Sequence, residues 1–260
     1  MRQNLCAFIT GASGGIGYEF ARLIAADQID LVLVARNQDK LKRIKQELES
    51  THQIRVDILP KDLSQPNAAR EVYEVVKNMD IEMLINNAGF GEFGEFIHTP
   101  WLKESQMIQL NITTLTQFTK LFLPQMVKRK SGFIMNVAST AAFQPGPLMA
   151  VYYATKAYVL SFTEAIAEEV RDCGVKITAL CPGPTESGFQ STAHMEESKL
   201  VKNRKMPSAQ EVATYGYEAL KKGKVVAVHG LQNKILANSV KFFPRNMVSS
   251  MVKKMQEKES

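Results

Sequence analysis

Tyr152 and Lys156, four residues apart, are the pair in this 260-residue chain best suited to acid–base chemistry. At positions i and i+4 they share one face of a helix. A phenol ordinarily ionises at about pH 10, too high for easy proton exchange at neutral pH. A nearby ammonium lowers that value, which is the tuning a general acid or base requires. Tyr153 stands beside them but is turned about 100° around the helix, so it is the weaker candidate. Thirteen residues before Tyr152, the run Val137-Ala138-Ser139 ends in a hydroxyl.

A second cluster lies near the N-terminus. Thr10-Gly11-Ala12-Ser13-Gly14-Gly15-Ile16-Gly17 follows an apolar run and opens a helical pattern. Glycines there let the backbone turn sharply and approach a pyrophosphate, whose charge rests on the helix N-terminus. Gly11, Ser13, Gly14, Gly15, Ile16 and Gly17 are therefore candidate dinucleotide contacts. The next apolar run, Asp30–Ala35, ends at Arg36 and Asn37 with no carboxylate to receive a ribose 2′-hydroxyl. Arg36 can pair with a 2′-phosphate instead, which favours NADP over NAD. Asp62-Leu63 suits the adenine edge, and Asn86-Asn87-Ala88-Gly89 can line the cofactor path.

These positions need a scaffold, and the pattern supplies one. Apolar runs at Leu5–Thr10, Asp30–Ala35, Ile54–Leu59, Ile81–Asn86, Gly132–Val137, Val175–Cys181 and Lys224–His229 read as seven strands. Most are continuous blocks without alternation, as expected of strands covered on both faces. Helical stretches fall between them at Gly15–Ala26, Gln38–Glu49, Gln65–Asn78, Leu102–Lys130, Tyr152–Cys173 and Ser208–Lys222. Alternation of this kind predicts an α/β, single-domain Rossmann fold: a doubly wound, seven-stranded parallel sheet with helices on both faces. Residues 1–230 form the dinucleotide-binding domain. Within it, 182–206 read as a lid. Residues 231–260 form a basic, amphipathic tail destined for the domain surface, a partner chain or a membrane surface.

Composition removes several alternatives. With 45% hydrophobic and 22% charged residues, the chain can build a large core. The net charge of +6 is dispersed, and its short clusters lack interleaved aromatics, so nucleic acid is not an expected partner. Cys6, Cys173 and Cys181 are too scattered for disulfides or a metal site and read as free thiols in a reducing compartment. The first apolar run is too short for a signal peptide, and no stretch approaches the roughly 20 apolar residues of a membrane span. The expected location is the cytoplasm.

The ordered set of Thr10–Gly17, Asp62, Asn86-Asn87-Ala88-Gly89, Asn111, Ser139, Tyr152, Lys156 and Pro182-Gly183 resembles the short-chain dehydrogenase/reductase superfamily. The similarity runs from Leu5 to about Gly230. The sequences Asn86–Gly91 and His229–Lys234 are similar to the 3-oxoacyl-reductase-like and general ketoreductase branch. The resemblance implies an NADP-dependent oxidoreductase interconverting a carbonyl and an alcohol. It implies that Tyr152 donates the proton, Ser139 polarises the substrate oxygen, and Lys156 binds the nicotinamide ribose and lowers the Tyr152 pKa. It also implies a water held by Asn111 as a proton relay, and a nicotinamide contact at Thr185, following Pro182 and Gly183. Family members commonly form dimers or tetramers, so a homodimer or homotetramer is expected through helices 102–130 and 152–173.

Phe90, Phe93, Phe143, Met149 and Phe189 are expected to wall the substrate site, which suits an apolar ketone or a 3-oxoacyl thioester. For a substrate riding on an acidic carrier, Lys128, Arg129, Lys130 and Arg171 are candidate contacts, although a solvated basic helix end explains them more simply. Two rival readings are a non-catalytic NADP-binding regulator, which has no need of a tuned phenol, and an NAD(P)-dependent epimerase or dehydratase, whose glycine motif is spaced differently.

Overall fold

The computed structural model describes residues 5–195, 198–199 and 205–257. Seven strands, β1 (Cys6–Thr10), β2 (Asp30–Ala35), β3 (Val56–Pro60), β4 (Ile81–Asn86), β5 (Gly132–Val137), β6 (Val175–Cys181) and β7 (Val226–Val228), form one sheet in the order β3-β2-β1-β4-β5-β6-β7. Every neighbouring pair is parallel. The connecting helices are α1 (Gly15–Ala26), α2 (Gln38–Thr51), α3 (Ala68–Val76), α4 (Trp101–Ile108), α5 (Leu115–Arg129), α6 (Ala150–Glu169), α7 (Phe189–Thr192) and α8 (Ala209–Lys221). This is the doubly wound arrangement that the alternating pattern predicts.

The continuous apolar strands arise because both sheet faces are covered. In β1, Ala7 and Ile9 pack with Phe20 and Ile24 of α1, while Phe8 on the opposite face meets Phe118 and Phe122 of α5. Alternation of side chains along the strand assigns consecutive apolar residues to two different cores. The Phe8 ring centre lies 5.1 Å from that of Phe118 and 5.2 Å from that of Phe122.

Several boundaries differ from the sequence expectation for local reasons. The third strand starts at Val56 instead of Ile54 and admits Pro60, which an edge strand tolerates because one side needs no donor. The helix expected from Gln65 begins at Ala68, after Asn67 takes a left-handed conformation with φ 64°. The last strand shortens to Val226–Val228. The long helix expected over Leu102–Lys130 is interrupted by a π turn at Gln109–Thr114, so α4 and α5 are separate segments. The helix expected from Tyr152 starts at Ala150 and stops at Glu169.

The tail folds as α9 (Leu231–Ser239) and α10 (Arg245–Gln256), with Pro244 at the start of the latter. Val248 and Val252 are buried in a cluster with Met107, Met149 and Tyr152. The tail therefore packs on its own domain, over the face that carries the tyrosine. Parts of the expected lid, 196–197 and 200–204, and the terminal segments 1–4 and 258–260 lie outside the described residues.

Phe8 is fully buried between two rings and has no room to be replaced. Phe8→Ala is expected to cost about 3–5 kcal/mol of unfolding free energy. Urea denaturation followed by circular dichroism measures it; a change below about 1 kcal/mol would show that the α5 face of the sheet can close over the gap.

Candidate active site

The chain crosses from one face of the sheet to the other between β1 and β4, and the carboxyl ends of these strands splay to leave a crevice. Thr10 locks its rim. The Thr10 hydroxyl accepts hydrogen bonds from the backbone N–H groups of Asn87 and Ala88, both 3.0 Å. The Asn87 amide donates back to the carbonyls of Thr10 (3.0 Å) and Gly11 (3.3 Å). Gly11 and Gly15 take positive φ values of 67° and 54°, which glycine adopts freely. The turn they shape presents the N-terminus of α1 to the crevice, with no acidic side chain in the first helical turn.

A cavity of about 1240 Å³ runs from this turn across the strand ends to α9 and α10. Gly11, Ser13, Gly14, Gly15 and Ile16 line it. Gly17 does not. A Cβ there would fall 2.4 Å from both the Gly11 carbonyl oxygen and the Asn87 amide nitrogen, so its part is close packing behind the turn. Ala88 and Gly89 also face the cavity, as do Pro182, Gly183 and Thr185 beyond β6. The Thr185 hydroxyl donates to the Gly183 carbonyl, 2.9 Å.

At the far end, Arg36, Asn37, Asp62 and Leu63 converge. The Asn37 side chain is engaged as the N-cap of α2, accepting from the Lys40 backbone N–H at 2.9 Å. Lys40 is a second cation on this wall that sequence reasoning passed over; its place one turn into a capped helix beside Arg36 was the available signal. Partial burial disfavours the charge on Asp62. Hydrogen bonds from Ser64 and Gln65, with the Arg36 charge, outweigh that and hold the carboxyl below its ordinary value.

The chemical groups gather at the middle of the cavity. Tyr152, Ser139 and Lys156 all line it. The Ser139 hydroxyl accepts from the Ala141 N–H at 3.1 Å, capping the short 3₁₀ turn Thr140–Phe143, and donates to the Pro182 carbonyl at 3.4 Å. The Lys156 ammonium donates to the Val137 carbonyl at 2.7 Å and lies 5.7 Å from the centre of the Tyr152 ring. Asn111 sits in the π turn, a form of helix that recurs at functional sites. Its amide donates to the Phe90 carbonyl (3.0 Å) and the Thr155 hydroxyl (3.1 Å). Its oxygen accepts from the Phe90 N–H at 3.3 Å. Asn111 and Lys156 flank Gly89: Asn111 Oδ1 and Lys156 Nζ lie 3.0 and 3.5 Å from where a Cβ would be.

The electrostatics run against one expectation: burial pushes the Tyr152 phenol up to about 12, opposed by a hydrogen bond with Ser139. Lys156 is itself driven down to about 8 by burial, opposed weakly by Cys181.

Of the five expected wall residues, Phe90, Met149 and Phe189 line the cavity. The Phe189 ring lies 5.2 Å from that of Tyr152. Phe93 and Phe143 are absent from the lining. Phe93 packs behind it, with its N–H bonded to the Ala193 carbonyl, and Phe143 joins the cluster of Leu115 and Val159. Their places are taken by Tyr153 and by tail residues that include Leu236, Phe243, Val252 and Met255. Tyr153, set aside on helical phase, is buried and meets Tyr152 edge-on at 6.1 Å. Away from the cavity, Arg129 is occupied by Asp80, Glu82 and two backbone carbonyls, and Arg171 pairs with Glu168. Neither is a free carrier contact.

The crevice passes a simple test for a dinucleotide. A glycine turn presents free helix N–H groups, two cations stand at the adenosine end, and the buried Lys156 ammonium has one hydrogen-bond acceptor for its three donors among the described residues. The doubly wound sheet, its glycine-lined crevice and the tyrosine–lysine pair facing that crevice form one arrangement. The chain belongs to the short-chain dehydrogenase/reductase family: the short chain dehydrogenase family model matches residues 5–198. It is 3-oxoacyl-reductase-like. It is 34% identical over 182 residues to very-long-chain 3-oxoacyl-CoA reductase-A of Danio rerio, covering 68% of this chain and 56% of that protein. It is 36% identical over 180 residues to 17-beta-hydroxysteroid dehydrogenase type 3 of Mus musculus, covering 68% and 58%. The chain thus spans little more than half the length of these relatives. A short-chain dehydrogenase from Sphingobium yanoikuyae solved with NADPH superimposes with a TM-score of 0.83 at 26% identity, covering 98% of this chain and 99% of the other.

The buried pair makes stability depend on pH. Lys156 binds its proton less tightly in the folded state, at about 8, than at its ordinary 10.5, so the unfolded chain holds more protons between those values. Stability from this group therefore rises with pH across that window. Tyr152 behaves oppositely: its contribution is complete below its ordinary 10.0 and is lost as pH rises towards about 12. Urea unfolding of wild type and Lys156→Met between pH 7 and 10 is expected to move the difference in favour of wild type as pH rises. A pH-independent difference would mean that Lys156 is not carrying a desolvated charge.

Proposed function

We propose that this chain is an NADPH-dependent reductase of apolar ketones, with 3-oxoacyl thioesters and steroid-like ketones as the leading substrate classes. The observation that carries it is the Tyr152 hydroxyl beside Ser139 and Lys156 in the wall of one cavity that also reaches the glycine turn. A bound nicotinamide supplies the hydride. Tyr152, a neutral phenol at physiological pH whose pKa burial raises further, holds the proton that the carbonyl oxygen needs. Ser139 offers a second hydrogen bond to the same oxygen and fixes its position. Lys156, with donors to spare, holds the cofactor ribose and, once charged groups of the ligand surround it, stabilises the phenolate left after proton transfer. Asn111, adjacent to Lys156 across Gly89, is assigned to the proton path that restores the phenol, a reading supported by that proximity.

NADP is favoured over NAD because Arg36 and Lys40 stand at the end of β2, where no carboxylate receives a 2′-hydroxyl. Phe90, Met149, Phe189 and the tail residues make the substrate end apolar. The named relatives, a 3-oxoacyl-CoA reductase and a 17-beta-hydroxysteroid dehydrogenase, support that substrate range.

Tyr152→Phe is expected to lower kcat by about 10²–10⁴ while NADPH still quenches protein fluorescence with unchanged affinity. Near-normal turnover in that variant would remove Tyr152 from the chemistry. Arg36→Asp is expected to raise the Kd for NADPH by at least about tenfold and to improve NADH binding, because a charge-assisted contact becomes a repulsion. Equal affinities before and after the change, measured by titration calorimetry, would overturn the cofactor preference.

A further inference from the structure

Half of the large apolar side chains that stay exposed among the described residues lie between Leu231 and Met255, on α9, α10 and the turn that joins them. On α10 the apolar residues form two stripes. Val248 and Val252 are buried against the Tyr152 cluster. Met247, Met251 and Met255, the same spacing begun one residue earlier, remain exposed and are turned about 100° from the first stripe. Folding accounts for the valines; Met247 faces out, and Met251 and Met255 are exposed where they border the cavity. Phe242, 85% exposed, and Phe243 stand at the corner between the helices, and Leu231 and Ile235 extend the apolar surface along α9.

Charge indicates what covers this surface. From Leu231 to Gln256 the sequence contains no aspartate or glutamate, but it carries Lys234, Lys241, Arg245, Lys253 and Lys254. Arg245, Lys253 and Lys254 are exposed. A second copy meeting this face would set cation against cation, whereas an anionic lipid surface complements it. The surface is also continuous with the cavity: Leu236, Phe243, Met251 and Met255 are both exposed and part of the cavity wall. The substrate end therefore borders the apolar patch. Among the described residues no helix is long and apolar enough to cross a membrane.

We propose that α9 and α10 seat the protein on an anionic lipid bilayer, with the cavity mouth towards the lipid, and that its substrates are membrane-resident amphiphilic ketones. The substrate half of this rests on the reductase reading given above; the docking half does not.

The full-length protein is cosedimented with vesicles of phosphatidylcholine alone and of phosphatidylcholine with phosphatidylglycerol. Binding is expected to be at least about tenfold tighter on the anionic vesicles and to weaken with added salt. Phe242→Ser/Met247→Ser and Lys253→Glu/Lys254→Glu are each expected to lose about tenfold or more of that binding. Both variants should still reduce a short 3-oxobutanoyl thioester in vesicle-free solution at the wild-type rate, because none of the four residues lines the cavity. Equal binding to both vesicles, or unchanged binding by both variants, would overturn docking. So would a wild-type dimer, seen by light scattering, that stays off vesicles and dissociates in Phe242→Ser/Met247→Ser; the patch would then belong to a second copy. Vesicle binding without thioester reduction by wild type would leave docking standing and overturn the substrate half.

Discussion

A lysine ammonium buried at the strand ends, with Val137 O as its acceptor, is the constraint around which the site is arranged. Burying a charge is costly unless its donors are met. One donor is satisfied by the last carbonyl of β5, and the residue lines a crevice where a polar ligand can meet the others. The parallel sheet is what makes this workable. Its order places the ends of β1, β4, β5 and β6 along one rim, so the glycine turn, the Gly89 corner, Ser139 and the lysine face the same space. The Thr10–Asn87 hydrogen bonds hold the first two of these together and keep the crevice open where the sheet changes direction.

Much of this was legible in the residues. Strands buried on both faces have no polar side to confuse them, so four of the seven runs coincide with their strands to the residue. A glycine turn between strand and helix, and a tyrosine–lysine pair at helical spacing, are local signals that need no long-range contact to be read. What was missed depends on tertiary packing. Gly17 has the same composition signal as Gly15, but only the close approach of the Gly11 carbonyl and Asn87 shows that it packs behind the turn. Phe93 and Phe143 have the chemistry of a substrate wall and the wrong side of the backbone. The depressed lysine and the raised phenol follow from burial depth, which the i, i+4 spacing does not encode.

The tail shows the same limit from the other direction. Its valine and methionine series differ by one position, and nothing in the residues says which is inside. The structure turns the valines onto the Tyr152 cluster, and in doing so makes the last two helices part of the wall around the reacting group. The C-terminal segment thus shapes the substrate end, together with residues that follow the glycine and tyrosine motifs along the same crevice.

The π turn at Gln109–Thr114 has a consequence for how this helix tolerates change. A wider loop in an otherwise α-helical rod is equivalent to one inserted residue, and one residue is about 100° of rotation. Trimming it back would not merely shorten the rod; it would spin α4 against α5 and carry Met107 out of the cluster it shares with Met149 and Tyr152, or swing Asn111 away from Phe90 and Thr155. The bulge acts as a phase coupling, setting two otherwise independent helical faces to a fixed offset, so that a deletion there is read by the protein as a twist.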